Sequence, residues 1–130
     1  MNFMRALRQA LRELPGGDAQ LRMSPNPRMP WDPSKFADGG RDAAALLLLY
    51  PHGDHWHLPL TVRGSGLRDH TGQVSLPGGR LDPGETIEGA AVREAAEEVG
   101  IPAHSVRIAG RLTPVQIPKP AAVGAGSSKA

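Results

Sequence analysis

Residues 79–101, GRLDPGETIEGAAVREAAEEVGI, constrain this chain more than any other stretch. From about Thr86 to Val99 the segment is rich in Ala and free of Pro, which predicts a helix. Pro83-Gly84 precede it as turn residues, and Gly100 followed by Pro102 marks its end. At about 100° per residue, Glu94, Glu97 and Glu98 fall on one face at i, i+3, i+4. Val92, Ala95, Ala96 and Val99 lie on another face, suited to packing on a sheet. Three crowded carboxylates repel one another unless a cation lies between them, and hard oxygen donors of this kind suit Mg²⁺ or Mn²⁺. An ordinary helix with these charges would simply present them to solvent, but two further features point to a site. Arg93 and Glu85 stand at fixed spacings from the three glutamates, and the preceding LPGGRLDPGE is rich in residues that let backbone approach a ligand.

Gly79, Glu85, Arg93-Glu94, Glu97-Glu98 and Gly100-Ile101 follow the pattern G-x5-E-x7-R-E-U-x-E-E-x-G-U, with U apolar and Ala95 a small residue at the first U. This resembles the signature of the Nudix hydrolases. The resemblance implies an α/β (α+β) fold, an α/β/α sandwich around a mixed sheet, and hydrolysis of a diphosphate linked to some group X. It also implies roles: Glu94 and Glu98 as main metal ligands, Glu97 as a further ligand or water-positioning group and first choice for the base, and Arg93 orienting the cluster through Glu85. The Gly79 carbonyl would add a metal ligand, and the Gly78-Gly79 backbone would approach the diphosphate. A plain i, i+4 pair between Arg93 and Glu97 is the alternative account of Arg93.

Immediately upstream, Leu60, Thr61, Arg63, Arg68, Gly72, Pro77, Gly78 and Gly79 follow L-L-T-x-R-[SA]-x3-R-x3-G-x3-F-P-G-G, with Pro59, Gly64 and Leu76 departing from it. This resembles the motif of the coenzyme A diphosphatase (CoA pyrophosphatase) branch. The implied reaction is attack of metal-activated water on the diphosphate of coenzyme A or acyl-CoA, giving 3′,5′-ADP and 4′-phosphopantetheine or its acyl form. Arg63 and Arg68 would then bind phosphate, for which the guanidinium fork is suited. Another nucleoside diphosphate derivative as substrate, or a non-catalytic chain that acts through a partner, are the competing readings. His70, inside the same motif, could touch substrate or act as a base, but a lone loop His is more often a surface residue.

Composition bounds the remainder. A chain of 130 residues has room for one domain. The net charge of +2 is too small to argue for nucleic-acid binding, and the absence of Cys fits a reducing, cytoplasmic setting. The most apolar run, AAALLLLY at 43–50, is too short to span a membrane and reads as a buried strand. It is expected to meet a second strand, 55–63, across Pro51-His52-Gly53-Asp54 as a hairpin. His52, His55 and His57 read as strand histidines, not as a metal set.

Residues 1–14 carry an amphipathic helix with Phe3, Leu7, Leu11 and Leu14 on one face and Arg5, Arg8 and Arg12 away from it, expected to dock on its own domain or on a homodimer mate. Residues 15–40 hold five Pro and four Gly and read as an extended linker. The Nudix-like region covers 41–118, with further strands expected at 105–112 and 115–117. Residues 119–130 read as a flexible tail. On this reading the sandwich is shortened at its C-terminal side.

Overall fold

The structure is a computed structural model that describes residues 2–23, 41–64 and 72–115. The chain divides into two compact units, one spanning Arg41–Ile108 and the other combining Met1–Gly40 with Ala109–Ala130. The first unit carries all the signature residues.

Its strands are β1 (Ala43–Ala45), β2 (Tyr50–His52), β3 (His55–His57), β4 (Thr61–Val62), β5 (Val74–Ser75) and β6 (Gly78–Arg80). They form three antiparallel pairs, β1 with β6, β2 with β3 and β4 with β5. The register of β1 on β6 sets Ala44 opposite Gly79 and Ala45 opposite Gly78. Two more backbone bonds extend that ladder, Leu46 to the Pro77 carbonyl at 2.8 Å and Leu81 to the Asp42 carbonyl at 3.2 Å. The helix of the signature (Ile87–Val99) packs on both strands of this ladder.

The packing is close because the residues at the contact are small. Ala90 and Ala95 are fully buried, with Ala44, Ala91 and Leu46 around them and Leu48, Leu81, Val99 and Val106 at the margin. The buried helix face is therefore rotated from the expected one. Ala90 and Ala91 join Ala95, while Val92 and Ala96 are only half-buried. Gly78 is required by the same closeness, because a β-carbon there would collide with the Ala44 carbonyl and with Ala45. The α+β class follows directly. Of the expected sandwich and mixed sheet, the described residues show one helix laid on an antiparallel ladder.

Several expected strands differ. The run 43–50 is two strands, with 46–49 in neither, although the Leu46 N–H still bonds across to Pro77. The run 55–63 is broken at Leu58-Pro59-Leu60, where proline has no N–H to give to a ladder. The hairpin between β2 and β3 turns at Gly53, whose φ of 57° is open to glycine. No strand forms over 105–112. A short 3₁₀ turn (Ala103–Ser105) takes its start, and Ile108 stands 45% exposed. A strand needs a ladder partner, and among the described residues none lies alongside. Val115 is likewise not in a strand, and the last residues of the expected segment lie outside the described ones.

In the second unit, α1 (Phe3–Ala10) is capped by the Asn2 side chain, which accepts from the Met4 N–H at 3.0 Å. It is shorter than the expected helix. A second helix, α2 (Gly16–Met23), occupies the start of the segment read as an extended linker. Asp18 in its first turn and Arg22 in its last complement the helix dipole, and Gln20 Nε2 donates to the Thr113 carbonyl at 2.7 Å. With these two helices in place, the signature helix is α3. Among the described residues, no helix is long and apolar enough to cross a membrane. The tail at 119–130 lies outside the described residues.

Candidate active site

The site is built around α3 and the loop that leads into it. Thr86 caps the helix, its Oγ1 accepting from the Gly89 N–H at 3.0 Å, and Gly100 ends it in the left-handed region at φ 72°. Asp82-Pro83-Gly84-Glu85 form a tight turn closed by the Glu85 N–H on the Asp82 carbonyl at 3.0 Å, with Gly84 at φ 77°. Pro then Gly at the two central positions is what a type II turn requires.

Arg93 ties this loop to the helix. Its Nε donates to Glu85 Oε1 at 2.8 Å and its Nη2 to Glu85 Oε2 at 3.0 Å, a two-pronged pair. Nη2 also donates to the Arg80 carbonyl at 3.0 Å, so the end of β6 is held by the same side chain. Glu85 in turn accepts from the Asp82 N–H at 2.9 Å. Bonding to Arg93, and then to the Asp82 N–H, holds the Glu85 carboxyl below its ordinary range despite partial burial. The same partners, Glu85 first and Glu94 next, push the Arg93 guanidinium further up, so it stays charged at any working pH.

The three signature glutamates occupy different surroundings. Glu94 is largely buried and rests on β6. A β-carbon on Gly79 would stand 2.5 Å from its carboxyl carbon, so any larger residue there would push the Glu94 carboxylate aside. Arg93 Nη1 donates to Glu94 Oε1 at 3.0 Å and lies 3.5 Å from Glu97 Oε2. Glu97 is 61% exposed, and the Glu98 side chain is exposed with no hydrogen bond or ion pair among the described residues. As the side chains lie, no three acidic or imidazole groups converge on one point among the described residues. The donor set nonetheless suits a hard divalent cation: three carboxylates within two helical turns, one of them pressed on a side-chain-free backbone. An open depression beside the site is lined by Arg41, Asp42, Arg80, Leu81, Asp82, Pro83, Gly84 and Glu85.

Of the upstream residues, Arg63 stands at the end of the β4–β5 hairpin. Its N–H donates to the Gln73 carbonyl at 3.0 Å and its carbonyl accepts from Gly72 at 3.1 Å. Thr61 Oγ1 donates to the Ser75 carbonyl at 3.2 Å on the same hairpin. Pro77 is fully buried where the chain passes into Gly78 and Gly79. Arg68 and His70 lie outside the described residues. On the β2–β3 hairpin the His57 ring meets His52 edge-on at 5.6 Å and Tyr50 at 5.7 Å. Sequence reasoning missed Asp82, whose N–H holds Glu85 and whose carboxylate lies 3.4 Å from Arg93 Nε, and the Arg80 carbonyl. The available signal for Asp82 was its place at the head of the Asp-Pro-Gly turn.

A family model described as NUDIX domain matches residues 40–122. An uncharacterized Nudix hydrolase NudL of Photorhabdus laumondii is 42% identical over 68% of this chain and 47% of its own length. Nudix hydrolase 3 of Caenorhabditis elegans is 54% identical over 43% of this chain and 23% of its own length. NudL of Yersinia pestis is 49% identical over 62% of this chain and 40% of its own length. The chain thus spans less than half the length of these curated relatives. No solved structure matches it.

Proposed function

The chain belongs to the Nudix family, and from that premise we propose that it hydrolyses the diphosphate of a nucleoside diphosphate derivative, with coenzyme A or acyl-CoA as the substrate. The observation that carries the chemistry is the seating of the Glu94 carboxylate on the Gly79 backbone, with Arg93 fixing the loop beside it. Nudix hydrolases in general use divalent ions such as Mg²⁺ or Mn²⁺, and Glu94, Glu97 and Glu98 with the Gly79 carbonyl are the groups here that would hold one. When bound, such an ion activates water and neutralises charge on the diphosphate oxygens.

The chain's own groups divide the remaining work. Glu94 and Glu98 supply fixed negative charge. Glu97, exposed and one turn from Arg93, has the freedom to orient a water and take its proton. Glu85 and Arg93 hold the Gly79–Glu85 loop in register with the helix. The Gly78-Gly79 backbone, half-buried in β6 beside Glu94, is where the signature would bring the diphosphate. The coenzyme A assignment rests on the Thr61, Arg63, Arg68, Gly72 and Pro77 pattern. Arg63 supports it by standing just past β4, on the hairpin whose other strand leads through Pro77 into Gly79. The products would be 3′,5′-ADP and 4′-phosphopantetheine or its acyl form.

The purified chain should be incubated with coenzyme A, ADP-ribose and nucleoside triphosphates in Mg²⁺ or Mn²⁺, and the products separated by chromatography. Release of 3′,5′-ADP in preference to the other products is expected. Preference for another diphosphate would retain the chemistry and reject coenzyme A. Absence of turnover on all of them would reject the enzymatic reading of this chain.

A further inference from the structure

We propose that the β2–β3 hairpin carries a metal site of its own, in which His52, His55 and His57 bind one Zn²⁺ ion. The site is separate from the signature carboxylates and does not rest on the diphosphate reading. The sequence by itself puts His55 and His57 on one face, because side chains alternate along a strand. The antiparallel register adds the third histidine. His52 stands directly opposite His55, and Tyr50 directly opposite His57. Residues opposite each other in a ladder share a face. Three imidazoles and one phenol therefore lie on one side of the hairpin, and Pro51 and Trp56 on the other.

The rings are already close. The His57 ring meets His52 edge-on at 5.6 Å and Tyr50 at 5.7 Å. Two imidazoles on one tetrahedral zinc, with nitrogen to metal at about 2.0–2.1 Å, have ring centroids roughly 5 Å apart. His52 and His57 thus stand near the separation that a shared ion requires. His55 neighbours both, across the ladder from His52 and two residues before His57. As the side chains lie, the three rings do not converge on one point, so closing the site takes rotation about side-chain torsions. Little opposes that rotation. β2 and β3 are exposed throughout, and none of the three imidazoles has a hydrogen bond or ion pair among the described residues.

The donors select the ion. Three neutral imidazoles with a fourth position left to water are a zinc set, whereas Mg²⁺ takes oxygen donors. The hairpin also gains from being bridged. Among the described residues β2 and β3 pair only with each other, and a two-stranded hairpin alone is marginally stable in water. An ion held by His52 on β2 and by His55 and His57 on β3 ties the two strands together.

The test uses the untagged full chain in excess Mg²⁺, so that the signature carboxylates are offered their own kind of ion. Zn²⁺ is titrated while the histidine ring nitrogens are followed by NMR. His52, His55 and His57 are expected to change together and to saturate at one ion per chain, with His104 on the 3₁₀ turn unchanged. A response of His55 and His57 without His52 would overturn the three-ligand site. So would no response from any of the three, or saturation at one ion per two chains. Calorimetry on His57→Gln gives a second reading, with circular dichroism to check the fold. Zn²⁺ binding should weaken by more than about 10-fold, since loss of groups that only support a ligand already costs 10–100-fold. Equal affinity in wild type and the folded variant would remove His57 from the site and overturn the proposal.

Discussion

Arg93 grips Glu85 with two hydrogen bonds, Nε to Oε1 at 2.8 Å and Nη2 to Oε2 at 3.0 Å, across eight residues of sequence. The pair joins the start of the loop–helix segment to the middle of α3. It does so at the point where the Arg80 carbonyl also needs a donor. A charged pair with this geometry resists replacement by either partner's neutral form.

The first prediction concerns acid. The Glu85 carboxyl is lowered from its ordinary value of 4.5, by Arg93 first and the Asp82 N–H second. A carboxyl lowered on folding contributes stability that is fully present above the unfolded value and is lost as pH falls through the folded one. Thermal unfolding of wild type and Glu85→Gln, compared from pH 7 to pH 3, should show a constant gap down to about pH 5 that narrows below the ordinary carboxyl range. A gap that does not change with pH would show that Glu85 acts by shape and not by charge.

The two glycines should separate fold from site. At Gly78 a β-carbon meets the backbone of Ala44 and Ala45, which cannot yield cheaply, so Gly78→Ala should cost the fold about 1–3 kcal/mol or more. At Gly79 the obstacle is the end of the Glu94 side chain, which can swing away. Gly79→Ala should therefore keep most of the melting temperature while it displaces Glu94 and weakens Mn²⁺ binding. Equal loss of melting temperature in both variants, with Mn²⁺ binding retained in Gly79→Ala, would contradict this division.

What the sequence revealed followed the range of the interactions involved. The α3 boundaries were readable because Thr86, Gly100 and the Pro-Gly turn act on their immediate neighbours. The β2–β3 hairpin was readable because Gly53 turns it locally. The buried face of α3 was misjudged by a fraction of a turn. Hydropathy favours Val92 over Ala90, whereas the glycine-bearing ladder beneath admits only small side chains. The strand expected at 105–112 failed for the same reason, since an apolar pattern cannot say whether a ladder partner lies beside it. Asp82 was missed because its contribution is chiefly a backbone N–H, which its place at the head of the Asp-Pro-Gly turn signals only indirectly. The α2 helix was hidden under a Pro/Gly count whose proline and glycines lie at its start or beyond the described residues.

Glu98→Gln should reduce diphosphate hydrolysis by more than about 100-fold, since loss of groups that only support a metal ligand already costs 10–100-fold. The Glu98 side chain is exposed and has no hydrogen bond or ion pair among the described residues, so the fold has little to lose. Removing one of three neighbouring negative charges should leave the melting temperature unchanged or slightly raised. Circular dichroism and a turnover assay at saturating Mg²⁺ check the two halves together. Near wild-type turnover would remove Glu98 from the cation's ligands.

Arg63→Ala tests the substrate. Both backbone polar groups of Arg63 are used in the β4–β5 hairpin, to Gln73 and from Gly72, while its side chain is exposed. Truncation should therefore leave the hairpin and the melting temperature intact. A charged hydrogen bond to a phosphate is worth about 1.5–3 kcal/mol, or roughly 10- to 150-fold in kcat/KM. If Arg63 contacts the 3′-phosphate, the loss should appear with coenzyme A and be nearly absent with dephospho-coenzyme A. Assaying both substrates with both proteins yields the coupling directly. Equal losses would place Arg63 on the diphosphate that the two substrates share. No loss with either would leave the arginine solvated and the coenzyme A assignment without this support.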